Sequence, residues 1–390
     1  MTAAITDFRR RVAQGELGSL PVVVGLVVIW IIFQVKNDRF LSSGNLTNLV
    51  LQIAAVGTIS VGVVLVLLLG EIDLSVGAVS GLAAGVTAVL NVKHDVPAVP
   101  ALLAGLGVGL AIGVFQGIFI SRLLVPSFVV TLAGLVGWQG VHLEVLGSTG
   151  TVNLRPNLIT QLTTTFFTDA VGWVLGIVAV AAYVLVQANE FRRRRTAGLP
   201  GTNVQAIAVR SVVVGAAVLI GVAVLNNDRG VPLAAVILVG FVVLFDLLTR
   251  RTTYGRHVFA VGGNKEAARR AGISVPTIQL SVFALCSMMA AAGGILAASR
   301  LLAVNQSSGS GDTLLNAIAA AVIGGTSLFG GRGTVWSALL GALVIGSISN
   351  GMDLLAYSSS VKFMVTGAVL LAAVTVDATA RRGRISAGRA

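Results

Sequence analysis

Two short polar segments interrupt an otherwise apolar chain, and they hold the residues whose types and spacing could do chemistry. The first is Gly262-Gly263-Asn264-Lys265-Glu266-Ala267-Ala268-Arg269-Arg270-Ala271-Gly272. Asn264 can cap the start of a helix, Ala267, Ala268 and Ala271 suit its interior, and Gly272 can end it in the left-handed conformation. The spacing predicts a helix of roughly seven residues, about 10 Å long. Glu266 and Arg270 stand one turn apart and can pair, and the alanines offer a small-residue surface that another protein's groove could approach closely. The chemistry of such a segment is docking.

The second segment is Leu69-Gly70-Glu71-Ile72-Asp73-Leu74-Ser75-Val76-Gly77, two acids between apolar runs with no basic residue beside them in the sequence. Gly70 can break a helix, and Asp73 can cap the next one by accepting the amides of residues 75 and 76. Acids near membrane depth are costly and face a protein-lined or wet interior, so Glu71, Asp73 and Ser75 are also candidates for lining a polar route. A third stretch runs from Leu314 to Gly333 and ends in Gly324-Gly325-Thr326-Ser327-Leu328-Phe329-Gly330-Gly331-Arg332-Gly333. Its glycines rule out a plain lipid-facing helix through residues 324–333 and suggest close helix contacts or a re-entrant break. Asn316, Thr326 and Ser327 are its polar candidates for the same route.

Other chemistries find no support in the residue types. No G-x-x-x-x-G-K-[ST] pattern occurs, so nucleotide energy must come from a partner. His94, His142 and His257 show no ligand spacing, and the single cysteine, Cys286, allows neither an intrachain disulfide nor a Cys-based metal site. No paired catalytic carboxylates and no nucleophile with a base are apparent, which argues against an enzyme. Trp138, Trp336 and Phe329 could stack on a sugar face, although single aromatics in spans more commonly serve as packing or interfacial anchors.

The elements that must position these residues are membrane spans. The chain is 55% hydrophobic and 11% charged, with 47 glycines and a mean hydropathy of +0.93, values outside the usual range for soluble domains. A window of about 19 residues gives candidate spans near 20–35, 47–69, 74–91, 99–120, 127–146, 171–187, 209–225, 232–248, 279–298, 313–329, 334–352 and 361–377. The expected fold is an all-α polytopic integral membrane protein of about 10–12 spans. The apolar run after Arg9-Arg10-Arg11 lacks a convincing small-x-small cleavage site and reads as a retained span.

Charge orients the spans. With the N-terminus inside, only Lys36, Arg39, Lys93, Arg155, Arg229, Arg300 and Lys362 of the 27 basic residues fall outside, as the positive-inside rule expects. Both termini are then cytoplasmic. The organisation is a tail over 1–19, a permease domain over 20–378 and a second tail over 379–390. Within the domain, an Arg-rich loop at 188–208 and the docking loop at 249–278 are also cytoplasmic. Arg192 to Arg195 read as topology determinants, and the net charge of +12 reflects topology and attraction to a lipid bilayer rather than nucleic-acid binding.

An internal duplication is also legible. Gln116-Gly117 leads to Pro126-Ser127-Phe128-Val129-Val130-Thr131, and Asn350-Gly351 leads to Val361-Lys362-Phe363-Met364-Val365-Thr366. The two copies would enter the membrane from opposite sides, the pattern of an inverted repeat whose broken helices place a route at the repeat interface.

Glu266-Ala267-Ala268-x-x-x-Gly272 resembles the EAA loop of ATP-binding cassette (ABC) importer permeases. With Thr253-Tyr254-Gly255-Arg256 before it, Gly70 to Gly77 and Ile323 to Gly331, the chain from about residue 40 to 380 resembles the permeases of monosaccharide importers for ribose, xylose, arabinose and galactose. It is most similar to the xylose type, in Glu71 ahead of Ile-Asp-Leu-Ser, in Asn316 before Ala-Ile-Ala-Ala, in its length, and in an extra hairpin between about 188 and 230. The resemblance implies a permease subunit in the bacterial inner membrane that moves a pentose such as D-xylose. It implies a homodimer, an ABC ATPase subunit that docks on the cytoplasmic loops, and an extracytoplasmic sugar-binding protein. No cofactor would be bound by this chain, since ATP and Mg2+ would sit on the ATPase. Glu266, Ala267, Ala268, Arg270 and Gly272 would form the ATPase-coupling helix. The alternative is an ion-coupled secondary transporter of a small polar solute, working through Glu71, Asp73, Glu144 and Asp246 without an ATPase.

Overall fold

The computed structural model describes residues 20–198 and 204–386, so the expected N-terminal tail, the last four residues of the C-terminal tail and part of the Arg-rich loop lie outside the described residues. Twelve helices fall on the twelve expected spans: α1 Leu20–Lys36, α2 Ser43–Leu68, α3 Val76–Lys93, α4 Ala98–Ser121, α5 Ser127–Leu146, α7 Asp169–Thr196, α8 Val204–Asn226, α9 Leu233–Arg251, α12 Val275–Leu301, α13 Asp312–Ile323, α14 Trp336–Leu354 and α15 Ser359–Ser386. Nine of these are long and apolar enough to cross a membrane, among the described residues. The shorter apolar stretches are α1, α13 and the first part of α15. Three further helices, α6 Leu158–Thr164, α10 Thr253–Gly263 and α11 Lys265–Arg270, lie in connections, as does a two-stranded sheet of β1 Thr151–Asn153 antiparallel to β2 Ala303–Asn305.

Local sequence sets the boundaries. Pro97, Pro126 and Pro232 occupy the N-cap positions of α4, α5 and α9, where a missing N–H costs nothing. Ser42 caps α2 through the Asn45 amide, and Gly147 ends α5 at φ +71°. The expected span 313–329 is corrected. Its helix stops at Ile323 after 12 residues, about 18 Å at 1.5 Å per residue and short of the ~30 Å hydrocarbon layer. Residues 324–335 then form a glycine-rich connection to α14.

The core is an antiparallel pair. Gly62 of α2 lies against Cys286 and Met289 of α12, whereas Gly293 of α12 lies against Ala55 and Ile59 of α2. In α2, 83% of the apolar window is buried and in α12 72%, against 11% in each of α7 and α8; α2 and α12 are therefore the interior and the α7–α8 hairpin is the periphery. Small residues allow the close crossings, since lipid provides no hydrophobic drive between helices. At Gly113 of α4 an added Cβ would stand 2.5 Å from the Phe283 carbonyl oxygen of α12. On the other side of the core α14 runs antiparallel to α2, with Ala342 facing Gly57 and Gly346 facing Ile53.

This packing is reciprocal, as an inverted repeat requires. Each core helix is flanked by the helix two spans on from the other. The two marker positions are both buried at such crossings: Gln116 of α4 bonds Ser75, and Asn350 of α14 accepts from Asn45 at 2.8 Å. Each core helix is also followed by a break before the next helix. After α2 the break is Gly70 to Ser75; after α12 it is the stretch following β2, in which Ser308 and Gly309 lie against Gly81 and Gly77 of α3. α13 thus starts inside the bundle, its first turn beside that of α3.

Candidate functional site

α11 is built as its residues dictate. The Asn264 side chain accepts the Ala267 amide at 2.9 Å, and Gly272, at φ +81°, turns the chain so that the Ile273 amide reaches the Ala268 carbonyl at 3.1 Å. Glu266 pairs with Arg270 at 3.2 Å and also with Arg269. The alanines do not share one surface. Ala267 is exposed beside Glu266, Arg269 and Arg270, while Ala268 is buried in the main core and anchors the helix. The exposed face is therefore mostly charged.

Three segments meet beneath this helix through bare backbone: the end of α2, the end of α10 and the glycine-rich connection 324–335. The Gly331 amide donates to the Leu68 carbonyl at 2.9 Å. An added Cβ at Gly262 would come within 1.7 Å of the same Leu68 oxygen, a distance no side chain can occupy. The glycine clusters at 262 and 330–331, far apart in the chain, serve one junction.

Glu71 stands next to that junction, and here the structure corrects the sequence reading of an acid without a basic partner. Lys265, the first residue of α11, places Nζ 2.5 Å from Glu71 Oε1. Gln279 of α12 donates to the same oxygen at 3.0 Å, and Ser127 of α5 donates to Oε2 at 2.6 Å. The carboxylate thus ties together the break after α2, α11, α5 and α12. These residues border an open cavity of 620 Å³, also lined by Arg269 and Val125. Lys265, Gln279 and Ser127 escape sequence reasoning because their partner lies 56 to 208 positions away.

Asp73 is placed differently. It is 3% exposed, and its Oδ1 accepts from the Ser75 amide at 2.8 Å and from the Ser75 hydroxyl at 2.6 Å. The expected bond to the residue 76 amide is not formed, because Ser75 rather than Asp73 is the N-cap of α3. Ser75 passes the chain of hydrogen bonds on to Gln116. The Cys286 thiol lies against the carboxylate, and no nitrogen or oxygen donor among the described residues reaches Oδ2. Trp138 Nε1 and Ser287 Oγ are likewise buried without a hydrogen-bond partner. An unpaired buried acid is costly, and such sites are where function is sought.

The remaining candidates do not join these two groups of residues. Thr326 and Ser327 are buried in the glycine-rich connection, where the Ser327 amide donates to the Arg332 carbonyl at 3.1 Å and Thr326 packs beside Gly333. Asn316 is half-buried on α13, in the turn that also offers the Ala317 carbonyl to Ser60 of α2. Trp138 packs edge-on against Phe115, and Phe329 is 47% exposed.

The basic residues segregate to two ends of the bundle. Lys93 and Arg155 bond to groups at the C-terminal ends of α5 and α3, Arg229 to Asn48 at the start of α2, and Lys362 to Asp353 at the end of α14. Lys265, Arg269, Arg270 and Arg332 gather at the opposite end, around Leu68 and Glu71.

Residues 45–374 match the family described as branched-chain amino acid transport system / permease component. The chain is 36% identical over 361 residues to the xylose transport system permease protein of Escherichia coli (strain K12), which covers 92% of this chain and 91% of that protein. It is 34% identical to the xylose transport system permease protein of Haemophilus influenzae (strain ATCC 51907 / DSM 11121 / KW20 / Rd), over 92% of this chain and 96% of that one. The ribose import permease protein of Bacillus subtilis (strain 168) is 31% identical, over 95% and 96%. No solved structure matches the chain.

Proposed function

This chain belongs to the branched-chain amino acid transport system / permease component family, and from that premise we propose that it is the membrane subunit of an ABC importer for D-xylose or a related pentose. The relatives named for xylose and ribose, matched over nearly their whole lengths, support a sugar as cargo. In this reading two copies pair in the inner membrane with both termini in the cytoplasm. A binding protein delivers the sugar from outside, and an ATPase subunit that carries ATP and Mg2+ docks on α11. This chain binds no cofactor and breaks no bond in the sugar.

One observation carries the coupling mechanism: the Lys265–Glu71 ion pair between α11 and the break that follows the most buried span. A displacement of α11 by the ATPase pulls on Glu71 and, through Gln279 and Ser127, on α12 and α5. The same displacement loads the glycine junction against the end of α2. Asp73, two residues beyond Glu71 and buried among Ser75, Gln116 and Cys286, is the polar group of the route that this lever moves.

The secondary-transporter alternative loses support from the same geometry. Glu71 is paired with Lys265 and Asp246 with Arg250, and Glu144 is exposed. Only Asp73 remains as a buried, unpaired acid. Coupling is tested by co-purifying the permease with its ATPase after Glu266→Lys or Gly272→Val substitution. Both variants insert in the membrane but recruit less ATPase and lose stimulated hydrolysis. Normal recruitment and hydrolysis in both would overturn the assignment of α11.

A further inference from the structure

The Arg-rich end of α7 lines a cleft with the end of α9. Glu190, Arg193 and Arg194 of α7 stand opposite Arg251, the last residue of α9, across a cleft of 530 Å³. Arg194 bonds Glu190 at 3.0 Å, and Arg251 approaches the other Glu190 oxygen at 4.0 Å. Two guanidiniums therefore face one carboxylate and a third, Arg193, lines the same cleft, and about half of the Arg194 and Arg251 side chains stays exposed. One turn further into each span the wall becomes apolar: Val186 precedes Glu190, Leu247 precedes Arg251, and the two are 48% and 50% exposed.

We propose that this cleft binds an anionic phospholipid, its phosphodiester between Arg193, Arg194 and Arg251 and an acyl chain along Val186 and Leu247. Arginine donors match phosphate oxygens in geometry and charge, and basic clefts between spans at a headgroup surface select anionic lipids. A soluble phosphate would meet the same guanidiniums but leave the apolar wall uncovered. An acidic protein surface would likewise leave that wall facing hydrocarbon. The site also suits the position of the α7–α8 hairpin. Its opposite end is fastened to α2 by Asn227 to Ser43 at 2.9 Å and Arg229 to Asn48 at 2.9 Å, and a lipid in the cleft fastens the Arg-bearing end to α9.

The test is native mass spectrometry of the full chain in detergent, titrated with phosphatidylglycerol or phosphatidylcholine of the same acyl chains. The wild type retains phosphatidylglycerol preferentially, and Arg193→Gln/Arg251→Gln loses about fivefold of that preference per arginine. Leu247→Trp, which fills the apolar wall and leaves every charge in place, lowers retention as well. Arg256→Gln, a basic residue on α10 outside the cleft, does not. Inorganic phosphate at millimolar concentration fails to displace the lipid. Equal retention of the two lipids, an unchanged preference in both cleft variants, or full displacement by inorganic phosphate would overturn the proposal.

Discussion

At the scale of single residues, Glu71 and Asp73 share a motif but have different partners. Glu71 pairs with Lys265 of α11 and serves the proposed lever, whereas Asp73 is buried against Ser75, both lying past Gly70, which at φ +72° ends the helical run. Replacing Lys265 with Met should preserve ATPase binding, since Glu266, Arg269 and Arg270 remain, yet reduce sugar moved per ATP hydrolysed. A double-mutant cycle with Glu71→Gln should give a coupling energy of about 1 kcal/mol, the upper end for exposed ion pairs, because the lysine is half-exposed and the glutamate largely buried. Thermal melts of the four proteins measure it, and strictly additive effects would remove the pair from the account. For Asp73→Asn, the amide oxygen can still accept from the Ser75 amide while the unpaired charge disappears. Stability should rise by about 1–2 kcal/mol and uptake should fall. A variant with wild-type kinetics leaves Asp73 only its turn-forming role.

At the scale of elements, the glycine junction gives a matched comparison. Gly262→Ala must push Leu68 away, so it should lower the melting free energy by about 1–3 kcal/mol and uncouple α11 from α2. Gly263→Ala meets no heavy atom within 4 Å and should be silent in the same melts and uptake measurements. Indistinguishable variants would mean that the junction is slack. The comparison also shows what the sequence could convey. Helix positions were legible because apolar runs of span length bounded by Pro and Gly leave little choice, and α11 was legible because cap, pair and exit are local. The glycine clusters at 262–263 and 330–331 were visible, but their contact was not, because nothing local links residues so far apart. The same holds for Lys265 and Glu71. The sequence leaves 313–329 open between a full span and a re-entrant segment because hydropathy cannot distinguish a half-helix buried in protein from one crossing lipid. It missed α6 and the β1–β2 pair because they are too short to show a period.

At the scale of the whole molecule, the core of α2 and α12 is packed reciprocally by α14 and α4, and the proposed function uses these two related halves as bodies that rock about the buried breaks. In the proposed reading, the larger basic cluster around Leu68 and Glu71 marks the cytoplasmic end and with it the direction of import. With Cys286 replaced by Ser, a single cysteine at position 269 should react with an impermeant maleimide only in inside-out vesicles, and one at position 229 only in right-side-out vesicles. The reverse labelling would invert the topology and with it the direction of transport.

The most direct test of the central claim is D-xylose uptake into proteoliposomes that hold this chain with its ATPase, with ATP inside and the binding protein outside. Uptake should require internal ATP, persist in the presence of a protonophore, and fall together with ATPase stimulation in Glu266→Lys. Xylose accumulation driven by a proton gradient without ATP would contradict it.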